Sequence, residues 1–310
     1  MNNNKNNIRS VGAFANSQAY ITGFTDGEGS FIVSITKNSE LKFGWRIKLI
    51  YSIGLHHKDR ALLELIKASL GVGTINKHSK DGVKYFVTSV KDLSVIIAHF
   101  DKYPLITQKW ADYQLFKQVF EMVNSKQHLT EEGLLKIVGI RYSINKGLDE
   151  ELTKYFPNIT QVHRPKLELS ANIDPNWLAG FTEAEGCFYV GIVRNKAYKL
   201  GEGVALYFTI TQHSRDQQMM SRLVDYLGCG TIQESSSKPI TRLVVTKFTD
   251  IEEKIIPFFD RYPLHGSKAK DFADFKRVAE IVKNKGHLTA SGLSQIKDIK
   301  SGMNRGTSLD

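Results

Sequence analysis

The sequence predicts an α+β protein in which one αββαββα unit, with an antiparallel sheet, is written twice. Two observations carry this: an internal repeat, and a change of hydrophobic period along each copy. The repeat is plainest where Tyr20-Ile21-Thr22-Gly23-Phe24-Thr25-Asp26-Gly27-Glu28-Gly29-Ser30-Phe31 returns as Trp177-Leu178-Ala179-Gly180-Phe181-Thr182-Glu183-Ala184-Glu185-Gly186-Cys187-Phe188. The offset is 157 (185 − 28). Leu70-Gly71-Val72-Gly73-Thr74-Ile75 returns at the same offset as Leu227-Gly228-Cys229-Gly230-Thr231-Ile232. Asp101-Lys102-Tyr103-Pro104-Leu105, His128-Leu129-Thr130 and Asn145 then return at 159, as Asp260-Arg261-Tyr262-Pro263-Leu264, His287-Leu288-Thr289 and Asn304. Ordered matches at so steady a spacing mark a duplicated unit. The two-residue drift requires small insertions between Thr74 and Asp101, counted in the second copy. The organisation that follows is a first repeat over 1–148, a linker over 149–174 with Pro157 and Pro165, and a second repeat over 175–310.

Each element follows from its local pattern. A short helix ends at Glu28. Phe31, Val33 and Ile35 then alternate with Ser30, Ser34 and Thr36, which is the period of a strand with one polar face. Ile47, Leu49, Tyr51 and Ile53 against Arg46, Lys48 and Ser52 give a second strand. Asp59 reads as an N-cap for a helix carrying Leu62, Leu63, Ile66 and Leu70 at helical spacing. Asp216 with Met219, Met220, Leu223 and Leu227 repeats it. Two more strands follow Gly73 and Gly230; helices then run from Asp92 and Gln108, with counterparts from Asp250 and Ser267. An antiparallel sheet with one polar face is the natural assembly.

Composition narrows the function. At 310 residues and 41% hydrophobic the chain can bury a sizeable core, and no stretch is long and apolar enough to span a bilayer. Residues 1–16 are rich in Asn and lack the apolar run of a secretory signal; they read as a loose tail. Two cysteines, Cys187 and Cys229, make neither a metal finger nor a disulfide framework and fit a reducing compartment. A formal net charge of +10 favours a polyanionic partner.

The repeated helix carries the chemistry. Gly23 and Gly27, and Gly180 and Ala184, are four apart, which gives each helix a stripe of small residues on which two such helices could approach closely about a pseudo-two-fold axis. Glu28 and Glu185 sit at the last turns. A carboxylate there opposes the helix dipole by ~0.3–1 kcal/mol, and a neighbouring like charge adds to the cost. A cation would relieve both, and Mg²⁺ prefers such oxygen ligands while keeping waters for substrate phosphates. Gly29 and Gly186 read as C-caps, but a cap does not require the glutamate before it.

The second copy, Leu178-Ala179-Gly180-Phe181-Thr182-Glu183-Ala184-Glu185-Gly186, resembles the motif of the LAGLIDADG homing endonucleases, and Ile21-Thr22-Gly23-Phe24-Thr25-Asp26-Gly27-Glu28-Gly29 resembles it more loosely. The likeness covers nearly the whole chain and is closest to the monomeric, two-motif fungal organellar type. It implies metal ligation by Glu28 and Glu185, with the carbonyls of Gly27 and Ala184 joining the shell. Asp26 and Glu183 would be structural. It also implies a metal-dependent double-strand cut across the minor groove of a long DNA target, leaving 3′ overhangs, by a saddle of two sheets. Mg²⁺ is the implied cofactor; Mn²⁺ or Ca²⁺ could replace it in binding, and Ca²⁺ would not support cleavage. Further catalytic groups on this likeness are Gln212, as a water-orienting residue, and Lys247 near the scissile phosphate; their first-half equivalents are Leu55 and Ser89. A mitochondrial location follows from the family alone.

A two-stranded ribbon fits the major groove. Strand parity assigns DNA contacts to Ser34, Thr36, Asn38, Arg46, Lys48, Ser52, Asn76, His78, Lys84 and Thr88 in the first half. In the second it assigns Tyr189, Asn195, Tyr207, Thr209, Gln233, Ser235 and Arg242. Lys77, Lys80, Lys196 and Lys199 suit phosphates better than bases. His128 and His287 read as helix-start or packing residues rather than ligands. Two other functions fit less well. An intron RNA maturase on the same scaffold, with host intron RNA as partner, would not need both glutamates. A glycosidase using the two carboxylates fits poorly with the basic charge and three tryptophans. Two motifs in one chain make a monomer sufficient, with no membrane partner.

Overall fold

A computed structural model describes residues 18–168 and 172–304. The expected N-terminal tail lies outside the described residues. The chain divides into two compact units, Met1–Asn172 and Ile173–Asp310.

The first unit opens with helix α1 (Gln18–Glu28), which passes directly into β1 (Gly29–Lys37) and, after a turn, β2 (Trp45–His56). Helix α2 (Arg60–Leu70), strands β3 (Thr74–Lys77) and β4 (Gly82–Val87), and helices α3 (Val90–Lys102), α4 (Lys109–Asn124), α5 (Glu131–Ser143) and α6 (Glu150–Tyr155) follow. The second unit repeats the order. It has α7 (Pro175–Glu185), β5 (Gly186–Arg194), β6 (Glu202–His213), α8 (Gln217–Leu227), β7 (Thr231–Glu234) and β8 (Ile240–Val245). Helix α9 is built from Phe248–Asp250, a π-helical turn Ile251–Ile255 and Ile256–Arg261, and α10 (Lys268–Lys283) and α11 (Ala290–Gly302) complete the unit. The antiparallel sheets have orders β1-β2-β4-β3 and β5-β6-β8-β7, as the duplicated αββαββα reading requires.

The apolar strand faces bury against the helices around one aromatic hub per unit. Phe31 lies 5.3–5.5 Å, centroid to centroid, from Tyr51, Phe100, Tyr113 and Phe116. Phe188 lies 5.1–5.4 Å from Phe208, Phe259, Phe272 and Phe275. All five positions correspond under the repeat. Two hydroxyls do not: those of Tyr51 and Tyr113, where the second unit has Phe208 and Phe272. The Tyr51 hydroxyl pairs with Thr25 Oγ1 at 2.8 Å inside the first core. Phe208 has no hydroxyl, and Thr182 Oγ1, the repeat equivalent of that partner, is buried without a hydrogen bond.

The two insertions are visible. Thr74 pairs with Phe86 and Thr231 with Val244, so the β7–β8 hairpin holds one extra residue and the offset becomes 158 (244 − 86). Buried Leu93 and Ile251 keep that offset, whereas buried Ile96 and Ile255 are 159 apart (255 − 96). The second insertion is therefore the π turn itself. Pro257 follows it at the start of the next helical segment and has no N–H for the ladder.

Three local expectations change. Asp59 and Asp216 occupy N-cap positions but make no side-chain cap bond; a 3₁₀ turn precedes each, and His56 Nδ1 and His213 Nδ1 accept from the amides of Lys58 and Arg215 instead. Helix α3 starts two residues before Asp92, because Ser89 caps the Asp92 amide. Gly29 and Gly186 do not take the left-handed backbone of a glycine cap, and Gly186 is extended (φ −82, ψ 159). Their need is space: a Cβ would fall 2.4 Å from Thr25 Cγ2 at Gly29 and 2.5 Å from Thr182 Cγ2 at Gly186. The chain turns from helix to strand so tightly that only glycine fits.

The expected linker contains α6, and its Arg164 is tied to the first unit, whereas Asp174 caps α7 of the second. Arg164 grips the Asp112 carboxylate with both terminal nitrogens, at 2.7 and 3.0 Å, and also donates to the carbonyls of Gln108 and Ser143. Asp112 further accepts from the Asn145 amide at 2.9 Å.

Candidate functional site

Each motif helix ends in a carboxylate followed at once by the obligatory glycine. Glu28 closes α1 and is exposed; Glu185 closes α7 and is half-buried. The acid two residues earlier has a different task. Asp26 is 2% exposed and accepts from the Ile106 and Thr107 amides at 3.0 and 3.2 Å and from the Thr107 hydroxyl. Glu183 accepts from the amides of His265, Gly266 and Lys268 at 2.9, 3.0 and 3.3 Å. These are the amides that lead into α4 and α10, where orphan donors favour an anion. Both acids thus clamp the motif helix to the start of a later helix, as a structural role implies.

That clamp delivers a residue which sequence reasoning missed. Lys109, first in α4, donates through Nζ to the carbonyls of Thr25 and Gly27 at 2.8 and 2.7 Å. Lys268, first in α10, does the same to Thr182 and Ala184 at 3.2 and 3.3 Å. Each ammonium binds the carbonyl just before the terminal glutamate. The lost signal was the repeat: both lysines stand five residues after the Tyr-Pro-Leu proline, at the offset of 159.

The donor chemistry suits a divalent metal. Each helix end offers a carboxylate and outward carbonyls that already hold one cation, the ammonium. All are hard oxygens, as Mg²⁺ or Ca²⁺ requires. No group of three or more His, Cys, Asp or Glu gathers among the described residues, so an ion there would complete its shell with water or substrate oxygens.

Gln212 and Lys247 are placed by register. Gly186 pairs with Ile210, so Gln212 lies two residues beyond that level on β6, near the end of α7, and its Oε1 accepts from the His213 amide. It is half-buried and opposite Thr241. Lys247 follows β8, where Val245 pairs with Phe208, and it is exposed at the N-cap position of α9. Its level along the strands recedes from Glu185, and the ammonium that reaches the motif helix is that of Lys268.

The polar sheet faces form as expected. Ser34 pairs with Lys48, Thr36 with Arg46, and Asn76 with Lys84, placing these side chains in cross-strand rows, while Thr88 follows the last residue of β4. In the second unit Tyr207 pairs with Tyr189, and Arg242 pairs with both Gln233 and Thr211, alongside Thr209. Asn38 and Asn195 lie in the hairpin turns, where their side chains accept from Glu40 and Ala197 amides; His78 and Ser235 stand just past β3 and β7. Ser52 is the exception: it faces the same way but is 2% exposed and closed to an incoming ligand. Tyr189 is partly claimed by Lys300, whose Nζ lies 5.1 Å from its ring centroid. The same faces also carry Ile32, Ile50 and Phe86, half-buried apolar groups that parity of polar residues alone overlooks. His128 and His287 sit in 3₁₀ turns that lead into α5 and α11.

A family model described as LAGLIDADG endonuclease matches this chain twice, over residues 21–120 and 178–279. Two Neurospora crassa proteins named probable intron-encoded endonuclease 3 and 2 are 40% and 38% identical over 278 and 305 residues, or 89% and 94% of this chain. The chain spans 52% and 66% of their lengths. The structure of I-SmaMI bound to an uncleaved DNA target with calcium ions superposes with a TM-score of 0.91 at 44% identity, covering 93% of this chain and 98% of that one. The I-SmaMI LAGLIDADG homing endonuclease bound to cleaved DNA gives 0.92 at the same identity, covering 93% and 97%.

Proposed function

Since this chain belongs to the LAGLIDADG endonuclease family, we propose that it is a homing endonuclease that makes a metal-dependent double-strand cut in a long duplex DNA target. The observation that carries the reading is the duplicated helix end: Glu28 and Glu185, each preceded by a carbonyl that holds a lysine ammonium. Similarity to a nuclease whose structures contain uncleaved and cleaved DNA supports the substrate.

Glu28 with the Gly27 carbonyl, and Glu185 with the Ala184 carbonyl, hold the ions. A bound Mg²⁺ supplies charge stabilisation to the oxygens of an in-line phosphodiester displacement. Lys109 and Lys268 add positive charge where negative charge develops on phosphate. Gln212 orients water from the second repeat, where the first has Leu55, and Lys247 contributes to phosphate binding. The polar rows around Arg46, Lys48 and Lys84, and around Arg242 and Gln233, read base edges, while Lys77, Lys80, Lys196 and Lys199 hold phosphates. The cut runs across the minor groove and leaves 3′ overhangs. The protein acts as a monomer in the mitochondrion, the compartment of organellar introns.

The test is cleavage of a randomised duplex library with Mg²⁺ by the wild type beside Glu28→Gln and Glu185→Gln. A defined double-strand cut, lost in each variant while DNA binding persists, is the expected result. A wild type that binds DNA or intron RNA and never cuts, with Mg²⁺ or Mn²⁺, would turn the assignment towards a maturase.

A further inference from the structure

Lys109 has two of its three ammonium protons on backbone oxygens of α1, those of Thr25 and Gly27, at 2.8 and 2.7 Å. These are short, charge-assisted hydrogen bonds at a helix C-terminus, where carbonyl dipoles converge and favour a cation. The Gly27 carbonyl is also, on the function proposed above, part of a divalent ion's shell. One oxygen cannot give its full field to both cations, and two positive charges so close repel.

We propose that Lys109 and Lys268 are built-in counterions of the metal centres: each ammonium occupies the helix-end oxygens until a divalent ion displaces it, and the displaced side chain is then released towards the substrate phosphate. The inference rests on the metal-dependent reading of Glu28 and Glu185. The lysine is carried on a rigid element, since its helix start is fixed by Asp26 or Glu183; only its flexible stem has to swing. The two repeats differ in grip. Lys268 stands 3.2 and 3.3 Å from its carbonyls, beyond the usual charge-assisted range, so it yields to an ion more readily than Lys109 does. The exchange gives the site a cation in both states and keeps the helix ends from being left with uncompensated negative charge.

The experiment measures Ca²⁺ affinity calorimetrically on the full chain and, in parallel, follows lysine Nζ resonances after ¹⁵N labelling. Lys109→Met should bind Ca²⁺ about tenfold more tightly than wild type, the factor that one charge-assisted hydrogen bond is worth. Lys268→Met should show a smaller gain. In wild type, the Nζ signal missing from the Lys109→Met spectrum should shift with the midpoint of Ca²⁺ binding and stay fixed in Glu28→Gln. Saturating Ca²⁺ binding with a static Nζ signal would overturn the exchange while leaving the metal site standing, whatever Lys109→Met does. Tightening without movement of that signal would reduce the lysine to a nearby charge and also overturns it. A wild type that binds no Ca²⁺ would remove the metal reading and the inference together.

Discussion

Thr182 offers a test inside one core. Its hydroxyl is fully buried and unpartnered because Phe208 stands where the first repeat has Tyr51. Leaving a buried hydroxyl without a partner costs about 1–3 kcal/mol, whereas replacing it by a methyl of the same shape is neutral or favourable. Thr182→Val should therefore stabilise the protein by roughly 1 kcal/mol. The mirror experiment has the opposite sign: Tyr51→Phe orphans Thr25 Oγ1 and should cost ~1–3 kcal/mol, while Tyr51→Phe combined with Thr25→Val should recover most of it. Phe208→Tyr would supply the missing partner, provided the ring cluster around Phe188, 5.2 Å away, admits one more oxygen. Urea unfolding read by the midpoint at constant slope measures each change. If Thr182→Val loses stability, its hydroxyl has a partner and the reasoning is wrong.

Asp26→Asn should lower the urea midpoint by the equivalent of about 2–4 kcal/mol, because its second oxygen becomes a donor facing amide donors. Arg164→Met leaves the Asp112 carboxylate, 6% exposed, without its counterion; a loss of ~3–5 kcal/mol is expected in the same assay, and an unchanged midpoint would show that the segment is not held by this pair. His99 is buried beside Thr22, and burial lowers its pKa from 6.5 to about 4. The unfolded chain therefore takes up the proton first as the pH falls. Stability is intact above pH 6.5 and declines towards pH 4 by up to ~3 kcal/mol. His99→Phe, the residue at the equivalent position 258, should flatten that part of the melting-temperature profile.

Most of the architecture was legible because a duplicated chain states each element twice. The alternation in Phe31-Val33-Ile35 and in Ile47-Leu49-Tyr51-Ile53 gave the correct buried faces, since period-two burial is a local property of strands. The glutamates were legible as well, because both end a repeated helix. What escaped was set by tertiary proximity. The Lys109–Thr25 contact spans 84 residues, and the amides held by Asp26 are 80 and 81 residues away. Ser52 shows the converse limit: parity told which way it points, and packing decided that nothing reaches it.

The π turn in α9 has a consequence for how such a duplicated chain changes length. One residue added to an α-helix advances everything beyond it by about 100° around the axis. Phe259, which belongs under Phe188 and Phe208, would then have swung away from the core. Widening a single turn absorbs the additional residue and restores the phase before the aromatic side chain is reached. The other addition lies at a hairpin tip, where it disturbs no pairing. Gains in length have thus survived where the error could be cancelled within a few residues, and the junction from motif helix to first strand, closed by Gly29 and Gly186, has kept the same count in both copies.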